Sequence, residues 1–199
     1  WMTALSLSKE TDLDVTLLEN PSIGPLGVGN GTIVGIRDYI NDLLDMPINE
    51  WLPKVNGTFK SGIKFEDFYK KDDYFTYTFE AAVLEDSLRL WHNNFKNKND
   101  YGNYFYPSSK FMLDNKLLID VPPTKGYADE KIKQSHLTYH LDNNLFIKLL
   151  KEKAIEHGTR YVEGEILDVN KEAFGNITSI VIDNPDIGPG PLTGDFFCR

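Results

Sequence analysis

Cysteine is almost missing from the 199 residues: Cys198 is the only one. A lone thiol closes no internal disulfide and supplies no zinc signature. Histidine is little better placed for metal binding. His136, His140 and His157 are scattered, and no His-Glu-x-x-His or carboxylate-histidine cluster occurs, so no metal site is expected. Basic charge is scarce too, with 21 Lys and Arg against 30 Asp and Glu and a formal charge of -9. Phosphate binding needs clustered cations, which argues against a nucleic-acid partner and against an anionic membrane surface. No run approaches the roughly 18 apolar residues that span a bilayer, and no charged-then-apolar leader opens the chain. No membrane association and a cytoplasmic location are therefore expected. Without a leader, the sequons at Asn56 and Asn176 are chance matches. There is no internal repeat, no low-complexity tract and no clean linker. The chain opens without an initiator methionine in mid-helix pattern and stops in the β-like run GDFFCR, so both ends read as cut.

What is present is an ordinary globular composition, 41% hydrophobic and 26% charged, enough for one sizeable core. Trp1 to about Lys9 reads as the tail of a helix, and Asp14-Val-Thr-Leu-Leu18 as a buried strand closing on Glu19. Helix, strand and acid form the second half of a dinucleotide-binding unit, in which the carboxylate accepts from a ribose diol. An exposed strand-end acid is the other reading of Glu19. The loop Ile23-Gly-Pro-Leu-Gly-Val-Gly-Asn-Gly-Thr32 feeds a helical pattern of Ile33, Ile36, Ile40, Leu43 and Leu44. Alternating Gly27, Gly29 and Gly31 either let backbone approach a planar or anionic ligand or form a plain turn, and no Gly-Lys-Ser/Thr follows to make a phosphate loop.

Asp45 to Glu50 breaks that helix and leads into WLPKVNGTFKSGIKF, Trp51 to Phe65. Asn56-Gly57 marks a turn, and the alternation from Phe59 to Phe65 predicts one strand with an apolar face and a face carrying Lys60 and Lys64. A lysine among apolar walls becomes a nucleophile when neutral; on a wet strand face it is a solubilising charge, the commoner outcome on pattern alone. Glu66 to Phe79 is crowded with aromatics, and Tyr77 and Phe79 would share a strand face as a clamp or as core packing. Leu84 to Phe95 reads as helical; Trp91 and His92 carry no assignable role. From Tyr139 a helix is predicted with Asp142 as its N-cap and Gly158 as its stop. A three-stranded meander follows, from Arg160 to Val162, Glu165 to Val169 and Ile177 to Ile182.

Taken together, these pieces resemble the flavin-dependent tryptophan halogenase family of the glutathione-reductase-like flavoprotein superfamily, over most of the chain. Trp1-Met2 with Ala4 is similar to the residues after that family's Gly-x-Gly-x-x-Gly turn, and Val15 to Glu19 to its second strand. GVGNGTI at Gly27 to Ile33 resembles its GVGEATIP, VNGTFKSGIKF at Val55 to Phe65 its catalytic-lysine signature, and Tyr139-His-Leu-Asp142 its YHFD-type stretch. Tyr161 to Ile182 is similar to its adenine-side strands. Asn30, Gly31 and Val34 stand where the motif carries glutamate, alanine and proline, and Tyr77 where tryptophan-specific members typically carry histidine.

The resemblance implies an α/β fold: one partial FAD-binding, glutathione-reductase-like (Rossmann-type) domain over 1–199, with a β-meander and an inserted aromatic-rich substrate region at 66–135. It implies FADH2-dependent halogenation, in which reduced FAD, O2 and chloride or bromide yield hypohalous acid. Lys60 would be the catalytic lysine that directs it, by hydrogen bond or as a haloamine, onto tryptophan or another electron-rich aromatic. Gly27, Gly29, Thr32 and Ile33 would line the isoalloxazine and the tunnel mouth, Glu19 would hold the FAD ribose and Ile166 the adenine. Tyr77 and Phe79 would fall near the aromatic clamp on the substrate. The implied partners are a flavin reductase that supplies FADH2 and a small aromatic substrate, and a homodimer is compatible with them. The upstream glycine turn, the Trp-x-Trp-x-Ile-Pro motif, the catalytic glutamate and the halide loop are expected outside this sequence, which makes it a fragment unable to turn over alone. The other readings are a related flavin monooxygenase that handles no halide, and a non-catalytic flavin- or aromatic-binding remnant.

Overall fold

Apolar residues spaced three and four apart, punctuated by proline and left-handed turns, set the helices; alternation sets the strands between them. The computed structural model describes residues 1–24, 29–79, 112–116, 137–186 and 188–198. The expectations on Gly27, Trp91, His92, His136 and the 84–95 helix lie outside these. In chain order the elements are α1 (Met2–Glu10), β1 (Thr16–Glu19), β2 (Asn30–Gly31), α2 (Val34–Leu44), α3 (Ile48–Lys54), β3 (Thr58–Lys60), β4 (Gly62–Glu66), β5 (Tyr74–Thr78), β6 (Thr138–Leu141), α4 (Asn143–Glu156), β7 (Arg160–Glu163), β8 (Glu165–Lys171), β9 (Ile177–Asn184) and β10 (Gly188–Thr193). They fall into two compact units, Trp1–Gly27 with Ile147–Arg199, and Val28–Phe146.

In the first unit β1 runs parallel to β7, with Thr16 opposite Arg160 and Glu19 opposite Glu163. The Ser8 and Thr159 hydroxyls share a 2.7 Å hydrogen bond that ties α1 to the segment entering β7. The meander exists with a different membership from the one expected. Arg160 to Val162 belongs with β1, and the antiparallel order is β10-β9-β8. The third strand, Gly188–Thr193, was illegible because its Gly-Pro-Gly-Pro start reads as a breaker. Proline is tolerated there because β10, among the described residues, pairs on one side only, as an edge strand.

In the second unit α2 buries Ile40, Leu43 and Leu44 and stops at Asp45, which adopts a left-handed φ of 49°. The chain then forms a helix that the sequence reading did not expect. Pro47 is the N-cap of α3, where a missing N–H costs nothing, and Pro53 lies in its last turn. The signal was the apolar spacing of Ile48, Trp51 and Leu52, all three buried. Asn56 takes a left-handed φ of 48°, and Gly57 N–H donates to the Leu52 carbonyl at 2.8 Å, turning the chain into β3.

The single strand expected from Phe59 to Phe65 divides at Ser61. β3 pairs with β6, whereas β4 pairs with β5 in a separate hairpin. Lys60 and Lys64 thus sit on different sheets. Lys64 is exposed, pairs with Glu66 and lies 4.7 Å from the Tyr74 ring centre, a solvated surface contact.

Capping of α4 follows the expectation. Asp142 Oδ1 accepts from the Asn144 and Leu145 amides at 3.0 and 3.2 Å. At the other end Gly158 has φ +94°, and Thr159 N–H reaches the Ala154 carbonyl at 2.9 Å. Replacing Asp142 by Ala should destabilise the chain by about 1 kcal/mol in urea unfolding, with Asp142→Asn close to wild type, because the side-chain oxygen is what caps. Equal losses from both variants would show that the cap contributes nothing.

Candidate functional site

The site grows from β6, the middle strand of the three-stranded sheet β2-β6-β3. Alternation sends Tyr139 and Leu141 to one face and Thr138 and His140 to the other. Tyr139 is fully buried, meets Trp51 edge-on at 5.0 Å between ring centres, and lies 6.1 Å from Phe59. That apolar packing fixes the strand, and with it the opposite face.

On that opposite face Lys60 is the register partner of Thr138, and Gly31 and Thr58 flank His140 from either side. Thr32 locks β2 to β6: its N–H donates to the Tyr139 carbonyl at 2.8 Å, and its hydroxyl oxygen accepts from Tyr139 N–H at 2.9 Å. The Thr32 and Thr138 hydroxyls also bond to each other. Arg37, only 2% exposed, donates to the Leu137 carbonyl at 2.9 Å and pairs with Asp38 at 2.8 Å, fastening α2 to the start of β6.

Lys60 is half-buried in this frame. Its Nζ donates to the Thr32 carbonyl at 3.3 Å and stands 5.3 Å from the centre of the Phe79 ring, a cation–π distance. Phe79 is held in place by its N–H, which donates to the Ser61 carbonyl at 3.1 Å. Tyr77, 60% exposed, meets Phe79 edge-on at 6.1 Å. Gly31 makes room for the amine: an ideal Cβ there would lie 3.1 Å from Lys60 Nζ and 3.3 Å from His140 Nδ1. His140 is solvent-exposed as a residue, yet packing around the ring lowers its pKa, and the Lys60 charge lowers it further.

Of the residues singled out in the sequence, Lys60, Thr32 and Phe79 come together directly, with Tyr77 beside Phe79. Gly29 and Ile33 are exposed on either side of β2, in the same unit. Glu19 and Ile166 belong to the other unit. Glu19 ends β1, and the Tyr161 hydroxyl lies 2.9 Å from its Oε2 and 2.8 Å from Glu163 Oε1, so one phenolic proton serves two carboxylates. Burial first, then the bonds and charges of Glu163 and Glu19, push the Tyr161 pKa far above its ordinary value. Ile166 is 53% exposed on β8. Sequence reading missed His140, Thr138 and Gly31 as members of the lysine site. The polar-apolar alternation of Thr138 to Leu141 was the available signal, hidden because that stretch reads as a helix start.

The family model for tryptophan halogenases matches residues 1–198. Tryptophan 7-halogenase RebH of Lentzea aerocolonigenes is 28% identical over 90% of this chain and 37% of its own length. Tryptophan 6-halogenase SttH of Streptomyces toxytricini is also 28% identical, over 99% of this chain and 40% of its own. Among solved structures, the flavin-dependent halogenase Xcc4156 of Xanthomonas campestris superposes with a TM-score of 0.79 at 26% identity, covering 99% of this chain and 38% of that one. The chain thus spans about two fifths of the length of these relatives.

The two causes of the His140 shift are separable. Lys60→Met should raise the His140 pKa, as read from ring-proton NMR shifts, but leave it below the ordinary value, because the larger cause persists. The folded pKa lies below the unfolded one, so His140 removes stability as pH falls through the ordinary histidine range and removes none above it. The variant should lose less stability than wild type on that descent. An unchanged midpoint would show that the lysine charge does not reach the ring.

Proposed function

This chain belongs to the tryptophan halogenase family, and from that membership we propose that it is the lysine-bearing part of an FADH2-dependent enzyme that halogenates tryptophan or another electron-rich aromatic. The observation that carries the reading is the seat of Lys60: a half-buried amine, fixed by the Thr32 carbonyl and facing an aromatic ring, over a glycine that leaves it room.

The residues present fit FAD on two counts. Glu19 ends a strand of a parallel pair, where a dinucleotide ribose is met in such folds. Gly29 to Gly31 is exposed and free of large side chains, and among the described residues a Cβ on Gly29 would touch only the Leu141 carbonyl, at 3.5 Å, so a planar ring can come close to the backbone. Glu19 and Ile166 would hold the adenosine end, and Gly27, Gly29, Thr32 and Ile33 the ring end. Bound there in reduced form, with a separate flavin reductase as its source, FAD would supply the reducing power by which O2 and chloride or bromide become hypohalous acid.

The part played by this chain is direction. An ammonium has three N–H donors, and the Thr32 carbonyl takes one of those on Lys60. Another N–H of Lys60 donates to the oxygen of hypohalous acid and weakens its bond to the halogen. The ring carbon then takes the halogen: a carbon–halogen bond forms, the halogen–oxygen bond breaks, and the oxygen leaves as water with the ring proton. Phe79 and Tyr77, edge to face, offer a corner against which a planar substrate can rest. Positioning of this kind, rather than a change in intrinsic reactivity, selects one ring carbon.

In the full-length protein, Lys60→Ala should cut halogenated product by at least about 100-fold while flavin oxidation by O2 continues, because the lysine acts after hypohalous acid forms. Unchanged product would sink the assignment. Glu19→Ala should weaken FAD binding by about tenfold in a fluorescence titration, the scale of a lost charged hydrogen bond. Wild-type affinity in that variant would remove Glu19 from the cofactor site.

A further inference from the structure

His140 shares the lysine site without any part in the reaction described so far. The position that a Cβ would take on Gly31 lies within 3.1 Å of Lys60 Nζ, 3.3 Å of His140 Nδ1 and 3.4 Å of His140 Cε1. The amine and the Nδ1 edge of the imidazole therefore look onto the same small space above one glycine. The sheet register imposes this. Gly31 and Thr58 are the direct partners of His140, and Lys60, two residues past Thr58, is its diagonal neighbour on the same face. Among the residues of β2 and β3, Lys60 is the sole charged one.

We propose that His140 is a positioning residue for Lys60: the two share no hydrogen bond in this structure, and the unprotonated Nδ1, facing the amine across the space above Gly31, is the second acceptor that the amine meets beside the Thr32 carbonyl when it turns toward its reaction partner. The inference rests on the reading of Lys60 as the halogen-directing residue. An ammonium on a four-carbon stem with one acceptor can still swing about that bond; two acceptors on the protein side define which N–H faces outward. The role requires a neutral imidazole with its proton on Nε2, since an imidazolium has no acceptor and repels the amine. Packing around the ring and the Lys60 charge both favour the neutral form. Thr58, the other flank, brings no competing charge.

The test uses the full-length protein and counts halogenated product per flavin oxidised. His140→Leu, which removes the acceptor, should lower that ratio about tenfold with flavin oxidation unchanged. His140→Asn, whose amide oxygen can stand near the Nδ1 position, should recover to within about threefold of wild type, which a merely space-filling role would not produce. Wild-type product from His140→Leu, or the same loss in both variants, overturns the proposal. NMR of the 15N-histidine-labelled protein decides independently of turnover. His140 should carry its proton on Nε2, and Lys60→Met should shift the Nδ1 resonance; a proton on Nδ1 in the wild type overturns the role even where His140→Leu fails to fold. Product lost in Lys60→Ala but kept in His140→Leu leaves the lysine reading standing and removes this one. Product kept in both removes both.

Discussion

The burial of Tyr139 on one face of β6 is the constraint on which the lysine site depends. Its ring is closed in by Trp51 and Phe59, and its backbone N–H and C=O are both engaged by Thr32 on the β2 edge, with Phe59 its register partner on the other. A strand has period two, so a slip of one residue would turn His140 from solvent into the apolar packing and move Tyr139 off it. Burying a large aromatic is worth a few kcal/mol, far more than any polar contact on the opposite face, so the apolar side sets the register and the polar side inherits it. Lys60 meets Thr32 because Trp51 needs somewhere to pack.

Much of this was legible, and the failures have physical causes. The helix from Asn143 was readable because cap, apolar period and glycine stop agree, three independent signals for one element. Helix α3 was hidden by Pro47 and Pro53, which read as breakers: Pro47 is tolerated as the N-cap, whereas Pro53, inside the helix, forgoes one backbone hydrogen bond near its end. The Phe59 to Phe65 alternation was read correctly as extended chain, but periodicity says nothing about partners. The exchange of one sheet for another at Ser61 is decided by residues far along the chain in β6 and by the return strand β5. For the same reason pattern alone left Lys60 as a surface charge: its neighbours Thr32, Gly31 and His140 are near only after folding.

The other unit follows a different logic. There the carboxylate at the end of β1 is already engaged by the Tyr161 hydroxyl, and Lys151 stands 3.6 Å from the same ring's centre. The phenol engages one oxygen of each acid, and a carboxylate has about four acceptor positions, so each keeps lone pairs for another donor. An acid held in this way is pre-oriented without being used up, which suits the role proposed for Glu19 of accepting hydrogen bonds from ribose hydroxyls.

Ser61 separates two jobs. Upstream of it, β3 belongs to the sheet that fixes the amine; downstream, β4 and β5 form a hairpin that carries the aromatic rings and touches that sheet's chain through the Ser61 carbonyl and the Phe79 amide. On the proposed reading, reactivity and shape would be carried by two different hydrogen-bond ladders that meet at Ser61. The hairpin's exposed positions can be rewritten, widened or lengthened, and the ladder beneath the lysine keeps its count. If Lys60 and the hairpin rings hold the roles proposed for them, a lineage built on this joint would change what it accepts while leaving untouched how it reacts.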